Sequence, residues 1–168
     1  MMQPICPICE RRSVSPSGDA KSKVLIIGEF PGQEELEKGR PFVGPAGKVF
    51  RKELNNVGLD LFDFRVTNLW VHEQTKDEHC YQLGYDLVLD EAKKKQAILL
   101  VGSEVVSTFT EYSVSKVSGL QVDSHLLSCQ NIMAIINPAI VFQPGRGIGE
   151  IRFALDNFKR MLEEIGLA

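Results

Sequence analysis

Four short apolar runs rich in β-branched side chains lie at residues 24–27, 64–70, 97–101 and 132–136. Val24-Leu25-Ile26-Ile27 is continuous rather than alternating and ends at Gly28, the pattern of a strand buried on both faces of a parallel sheet. The other three have similar strand composition and are separated by turn or helix signals. Between the runs, apolar positions recur with helical spacing over 47–57, roughly 81–95, 103–109 and 149–165. This alternation predicts an α/β fold, a three-layer αβα domain with a mainly parallel central sheet of about four strands. Ser103, following Gly102, is expected to cap the third helix, and Gly166 to stop the last.

A chain of 168 residues fits one domain, taken as 1–168, in which 1–22 form an N-terminal cysteine knuckle and a polar loop. With 43% hydrophobic and 24% charged residues, the composition is that of an ordinary globular protein and excludes a disordered or collagen-like chain. No apolar run approaches the roughly 18 residues of a membrane span, and the N-terminus lacks a basic-then-apolar leader, so a cytoplasmic protein is expected. A formal net charge of -3 means that nucleic-acid binding would need a local basic patch. In a reducing compartment the four cysteines are expected to be free thiols or metal ligands, and Cys6-Pro7-Ile8-Cys9 has the spacing of a ligand knuckle. Cys129 is most simply a core thiol, and Lys93-Lys94-Lys95 a solvated helix end.

In an open parallel sheet the ligand crevice lies beyond the carboxyl ends of the strands. After the first strand come Gly28-Glu29-Phe30-Pro31-Gly32 and then Arg40-Pro41-Phe42-Val43-Gly44-Pro45-Ala46-Gly47, glycine-rich turns whose backbone can approach a ligand closely. Neither is a phosphate-binding P-loop or a dinucleotide fingerprint. Glu29 is a catalytic carboxylate or one that caps a turn. Thr67-Asn68 and Asn137-Pro138-Ala139 follow two other strands. An Asn amide offers donors and an acceptor in one plane, suited to the edge of a flat heterocycle, though either Asn could instead stabilise a turn.

Taken together, Gly28-Glu29-Phe30-Pro31-Gly32, Glu35, Gly39-Arg40-Pro41-Phe42-Val43-Gly44-Pro45-Ala46-Gly47 and Thr67-Asn68 closely resemble the uracil-DNA glycosylase superfamily, with family 4, the iron-sulfur type, the nearest branch. The resemblance runs from Cys6 to about Ile165. It implies that Glu29 positions or activates a water, that Phe42 stacks on an extruded base, and that Asn68 reads the pyrimidine edge. It implies further that Glu35 lies near the 5-position of the base, with Gly28 and Phe30 completing the pocket. The implied reaction is hydrolysis of the N-glycosidic bond of uracil, or a related modified pyrimidine, in DNA by a monofunctional enzyme with base flipping.

The chain departs from the family in several places. Relatives carry His-Pro-Ser where this chain has Asn137-Pro138-Ala139, so the contact to the leaving base falls to Asn137; an Asn-Pro-Ser form occurs in the mismatch-specific branch. Phe30 replaces a small residue. The following loop matches the segment that enters the duplex in relatives, making Ile140 or Phe142 the candidate wedge and Arg146 a phosphate contact. Alternatively, these apolar side chains cover the core. For the metal, the resemblance implies Cys6, Cys9 and Cys80 with His72 at the third position, or His79 in its place. A 4Fe-4S cluster is the expected cofactor, with structural zinc the alternative. The expected partners are DNA, as a monomer with no membrane, and replication or repair proteins. The competing function is a glycosylase-like DNA-binding or replication-associated module with impaired catalysis.

Overall fold

The computed structural model describes residues 3–168. Strands β1 (Ser17–Gly18), β2 (Val24–Gly28), β3 (Arg65–Asn68), β4 (Ala97–Val101), β5 (Gln121–Val122) and β6 (Ile132–Ile135) form one sheet in the order β1-β3-β2-β4-β6-β5. The four inner strands are parallel and are those expected from the sequence. The sheet has six strands rather than about four because a two-residue antiparallel strand closes each edge. Strands so short carry no periodicity, and β1 lies in the stretch taken from sequence as loop.

Every residue of β2 and β4 is buried, so successive side chains feed opposite cores. Leu25, Ile27, Ile98, Leu100, Ile132 and Ala134 face one side. There they meet α3 (Glu78–Ala92), α4 (Ser103–Phe109) and α5 (Val114–Val117). Val24, Ile26, Leu99, Met133 and Ile135 face the other, against α2 (Pro45–Asn56) and α6 (Gly149–Glu164). The three-layer α/β arrangement is thus present. A short helix, α1 (Gln33–Lys38), was not expected, since none of its residues is buried and it carries no apolar stripe.

Helix ends moved for identifiable reasons. α2 starts two residues early, with Gly44 as N-cap and Pro45 in the first turn. α3 starts at Glu78 because the Asp77 carboxylate accepts hydrogen bonds from the amides of His79 and Cys80, and it stops at Ala92. Lys94 then takes a positive φ of 64°, and Lys95 donates to the Ser22 carbonyl at 2.6 Å instead of waving in solvent. Ser103 is not the cap of α4; the preceding Gly102 is, and its φ of 110° favours glycine. Gly166 follows α6 at a φ of 78°, as expected of a helix stop.

Candidate active site

The inner strands end together. Gly28 pairs with Asn68 at the carboxyl edge of β2 and β3, while β4 and β6 end at Val101 and Ile135. The loops leaving them enclose a cleft of about 360 Å³. Eight of the residues expected from sequence line it: Gly28, Glu29, Phe30, Glu35, Phe42, Asn68, Asn137 and Phe142. Ile140 and Arg146 do not. Ile140 is partly buried against the α2/α6 core, whereas Phe142 is 59% exposed at the cleft. The Arg146 guanidinium forms a double hydrogen bond with Glu150 in the first turn of α6.

Glu29 directly follows β2 and is half-buried. Its Oε1 accepts a hydrogen bond from the Glu104 amide at 3.0 Å, so the carboxylate supplies the N-terminal cap that Gly102 lacks. A side chain at Gly102 would overlap that carboxylate. Burial raises the Glu29 pKa above the ordinary carboxylate range, while the Glu104 amide and the nearby Asn137 and Ser103 side chains pull the other way. A carboxylate held this way is a competent proton acceptor that still faces the cleft.

Phe42 adopts a φ of 55°, unusual for a residue with a side chain, and its ring lies 4.9 Å from that of Phe50. Gly47 permits this, since a Cβ there would overlap the Phe42 backbone. Gly28 is bare for a similar reason: a Cβ would collide with Asn68 Oδ1 and come within 3.0 Å of the Phe42 ring. A flat aromatic face and a planar amide therefore stand on either side of a glycine floor.

Glu35 occupies a different place from a simple pocket wall. Its carboxylate accepts hydrogen bonds from the amides of Gly32 at 3.0 Å and Val43 at 2.9 Å, and from that of Gly44. It ties the two glycine-rich turns together. Asn137 combines both sequence readings. Its Oδ1 accepts from the Ala139 amide at 2.9 Å and caps the 3₁₀ turn Pro138–Phe142, while the side chain still lines the cleft. The amide NH₂, which also faces the Glu29 carboxylate, is the remaining group able to donate to a ligand.

Glu104 was missed by sequence reasoning. Beyond its amide, its carboxylate accepts from Trp70 Nε1 at 3.1 Å and from Gln74 Nε2 at 2.8 Å, linking the Glu29 loop to the segment after β3. Its position just after a buried strand was the available signal.

That segment leads to a second cluster. Cys6, Cys9, His72 and Cys80 place one donor atom each within 4.8 Å of one another, a set suited to a metal. Cys6 and Cys80 sulfurs lie 3.9 Å apart, and Cys9 Sγ is 3.4 Å from His72 Nε2. Burial pushes the Cys80 thiol up, with the facing sulfurs of Cys9 and Cys6 adding to it, whereas hydrogen bonds from the Cys9 and Ile8 amides and from the neighbouring sulfurs outweigh burial and lower that of Cys6. His79 stands apart, with its side chain 86% exposed beside Asp77, and is not the third donor of the cluster. Cys129 donates to the Asn131 carbonyl away from this set.

A sequence model of the uracil DNA glycosylase superfamily matches residues 15–166. The chain belongs to this superfamily. A type-4 uracil-DNA glycosylase of Thermotoga maritima is 28% identical over 129 residues, covering 70% of this chain and 67% of its own. Type-4 uracil-DNA glycosylases of Pyrobaculum aerophilum and Archaeoglobus fulgidus are 41% and 42% identical over 66 and 52 residues. Those shorter matches span 34% and 26% of the two archaeal proteins. Among the described residues, no helix is long and apolar enough to cross a membrane.

Proposed function

We propose that this chain is a monofunctional DNA glycosylase that hydrolyses the N-glycosidic bond of uracil, or a related modified pyrimidine, in DNA. The observation that carries the reading is the meeting of Glu29, Phe42, Asn68 and Asn137 in one cleft at the carboxyl edge of the sheet. A base within a duplex is out of reach, so the nucleotide must be extruded, at a cost of about a few kcal/mol. Phe42 stacks on the extruded base and Asn68 hydrogen-bonds its edge. Bond cleavage builds positive charge on the sugar and negative charge on the departing base. Glu29 stabilises the first and accepts a proton from the attacking water, while the Asn137 NH₂ donates to the base oxygen. Of the two wedge candidates, Phe142 is the side chain free to fill the vacated stack. Arg146, paired with Glu150 through Nε and Nη2, keeps its Nη1 donors for a phosphate.

The resemblance implies a 4Fe-4S cluster on Cys6, Cys9, His72 and Cys80. Such a cluster puts each ligand on a different iron, so its donors must stand apart by the width of the cluster as well as by the metal–ligand bonds. Donors gathered within 4.8 Å do not fit that spacing. None of the four lines the cleft, and no step of the reaction uses them. Cytoplasmic location, a monomeric state and contact with repair or replication proteins complete the proposal.

The test is base release from oligonucleotides bearing one uracil, opposite guanine, opposite adenine and single-stranded, followed by alkali. Free uracil and alkali-labile sites are expected, with no strand cleavage before alkali because no lysine lines the cleft. Because Asn137 donates only a neutral hydrogen bond, 5-fluorouracil, the more acidic leaving base, should be released faster than uracil. No release by a folded protein that still binds DNA would instead indicate the binding module, and a nick before alkali would contradict the monofunctional mechanism.

A further inference from the structure

The same cluster carries an inference independent of base release. We propose that Cys6, Cys9, His72 and Cys80 form a three-cysteine, one-histidine site for a single tetrahedral ion of the zinc class.

Two of the donor separations match those around one ion, and all lie within 4.8 Å. Zinc arms of about 2.3 Å to sulfur and 2.0 Å to nitrogen at tetrahedral angles place two sulfurs about 3.8 Å apart and a sulfur and a nitrogen about 3.5 Å apart. The observed separations are 3.9 Å for Cys6 Sγ to Cys80 Sγ and 3.4 Å for Cys9 Sγ to His72 Nε2. His72 is fully buried, and its Nδ1 lies 2.6 Å from the Glu73 carbonyl. A proton on Nδ1 donates to that carbonyl and leaves the Nε2 lone pair aimed at the sulfurs. Fixing the tautomer from the far side of the ring is how a histidine is prepared for zinc. The two N-terminal thiols are presented by a tight hairpin. Ile5 bridges Arg12, the Cys6 amide donates to the Arg11 carbonyl at 2.8 Å, and the Glu10 amide donates to the Cys6 carbonyl at 2.8 Å. The remaining donors come from the segment after β3 and from the first turn of α3, so the ion would pin three separate stretches of chain. Its role is structural, since all four positions are taken by protein and none is left open to substrate.

The experiment is metal and sulfide analysis of the whole protein purified without oxygen, followed by stripping and reloading. About one zinc per chain is expected, with no acid-labile sulfide. Cobalt should replace it one for one and give the intense visible bands of a tetrahedral thiolate site. Iron with sulfide, offered anaerobically to the stripped protein, should build no stable chromophore. His72→Cys should still hold one zinc, and His72→Ala should bind cobalt at least tenfold more weakly. Iron and sulfide near four each per chain, a cluster built on reloading, or a folded protein with no metal affinity would each overturn the assignment. None of these readouts uses base release, so failure here is separate from failure of the glycosylase reading.

Discussion

At the scale of single residues, Glu29 does two things at once. It caps α4 through the Glu104 amide and presents the carboxylate to the cleft. Burial raises its pKa, and a base must be ionised to act, so base release should fall as pH drops through a value above the ordinary carboxylate range. The same shift gives the sign for stability. A carboxyl with a raised folded pKa contributes stability at low pH that is lost as pH rises through that value. Ionising Glu29 therefore comes at some cost to the fold. A single-turnover pH profile should show an acidic limb displaced upward from the usual carboxylate range; a rate flat down to the unperturbed range would contradict the assignment. The residue identities were legible from the motifs, but the double duties were not. Nothing in Asn137-Pro138-Ala139 says which amide atom caps the turn and which is left for a ligand. The partnership of Glu29 with Glu104 joins residues 75 apart in sequence.

Among the elements, the glycine-rich turns depend on Glu35. Its carboxylate accepts from the amides of Gly32, Val43 and Gly44, and Val43 and Gly44 are buried. Leaving a buried donor unpaired costs about 1–3 kcal/mol. Glu35→Ala should lower the unfolding free energy by about 2–4 kcal/mol in chemical denaturation, given several such donors and partial relief by water. An unchanged denaturation midpoint would mean that Glu35 does not hold the turns. The inner strands were readable because strands buried on both faces are written as unbroken apolar runs. The edge strands β1 and β5 and the exposed helix α1 were not, since two residues or a wholly unburied turn leave no hydrophobic signature. The start of α3 could have been read from Asp77, whose carboxylate takes the first free amides.

Across the whole molecule, the parallel sheet gathers loops distant in sequence at one edge, and that is where the chemistry of the cleft is assembled. The Cys/His cluster lies on the α3/α4 side, where Cys6, Trp70 and Cys80 share a core. Trp70 and Glu104 connect it to the Glu29 loop through the 3.1 Å indole hydrogen bond. The cleft and the cysteine knuckle were both legible as motifs, while their connection depends on tertiary packing. The central claim is that Glu29 drives base release from this cleft. Its most direct test is Glu29→Gln compared with the native chain on uracil-containing DNA, with single-turnover release, DNA binding and thermal unfolding measured on the same samples. Gln can still accept from the Glu104 amide, so the fold and DNA affinity should be retained, with a melting temperature at or above native. Release should fall by at least about 100-fold. Release at the native rate from a Glu29→Gln protein that binds DNA equally well would contradict the account.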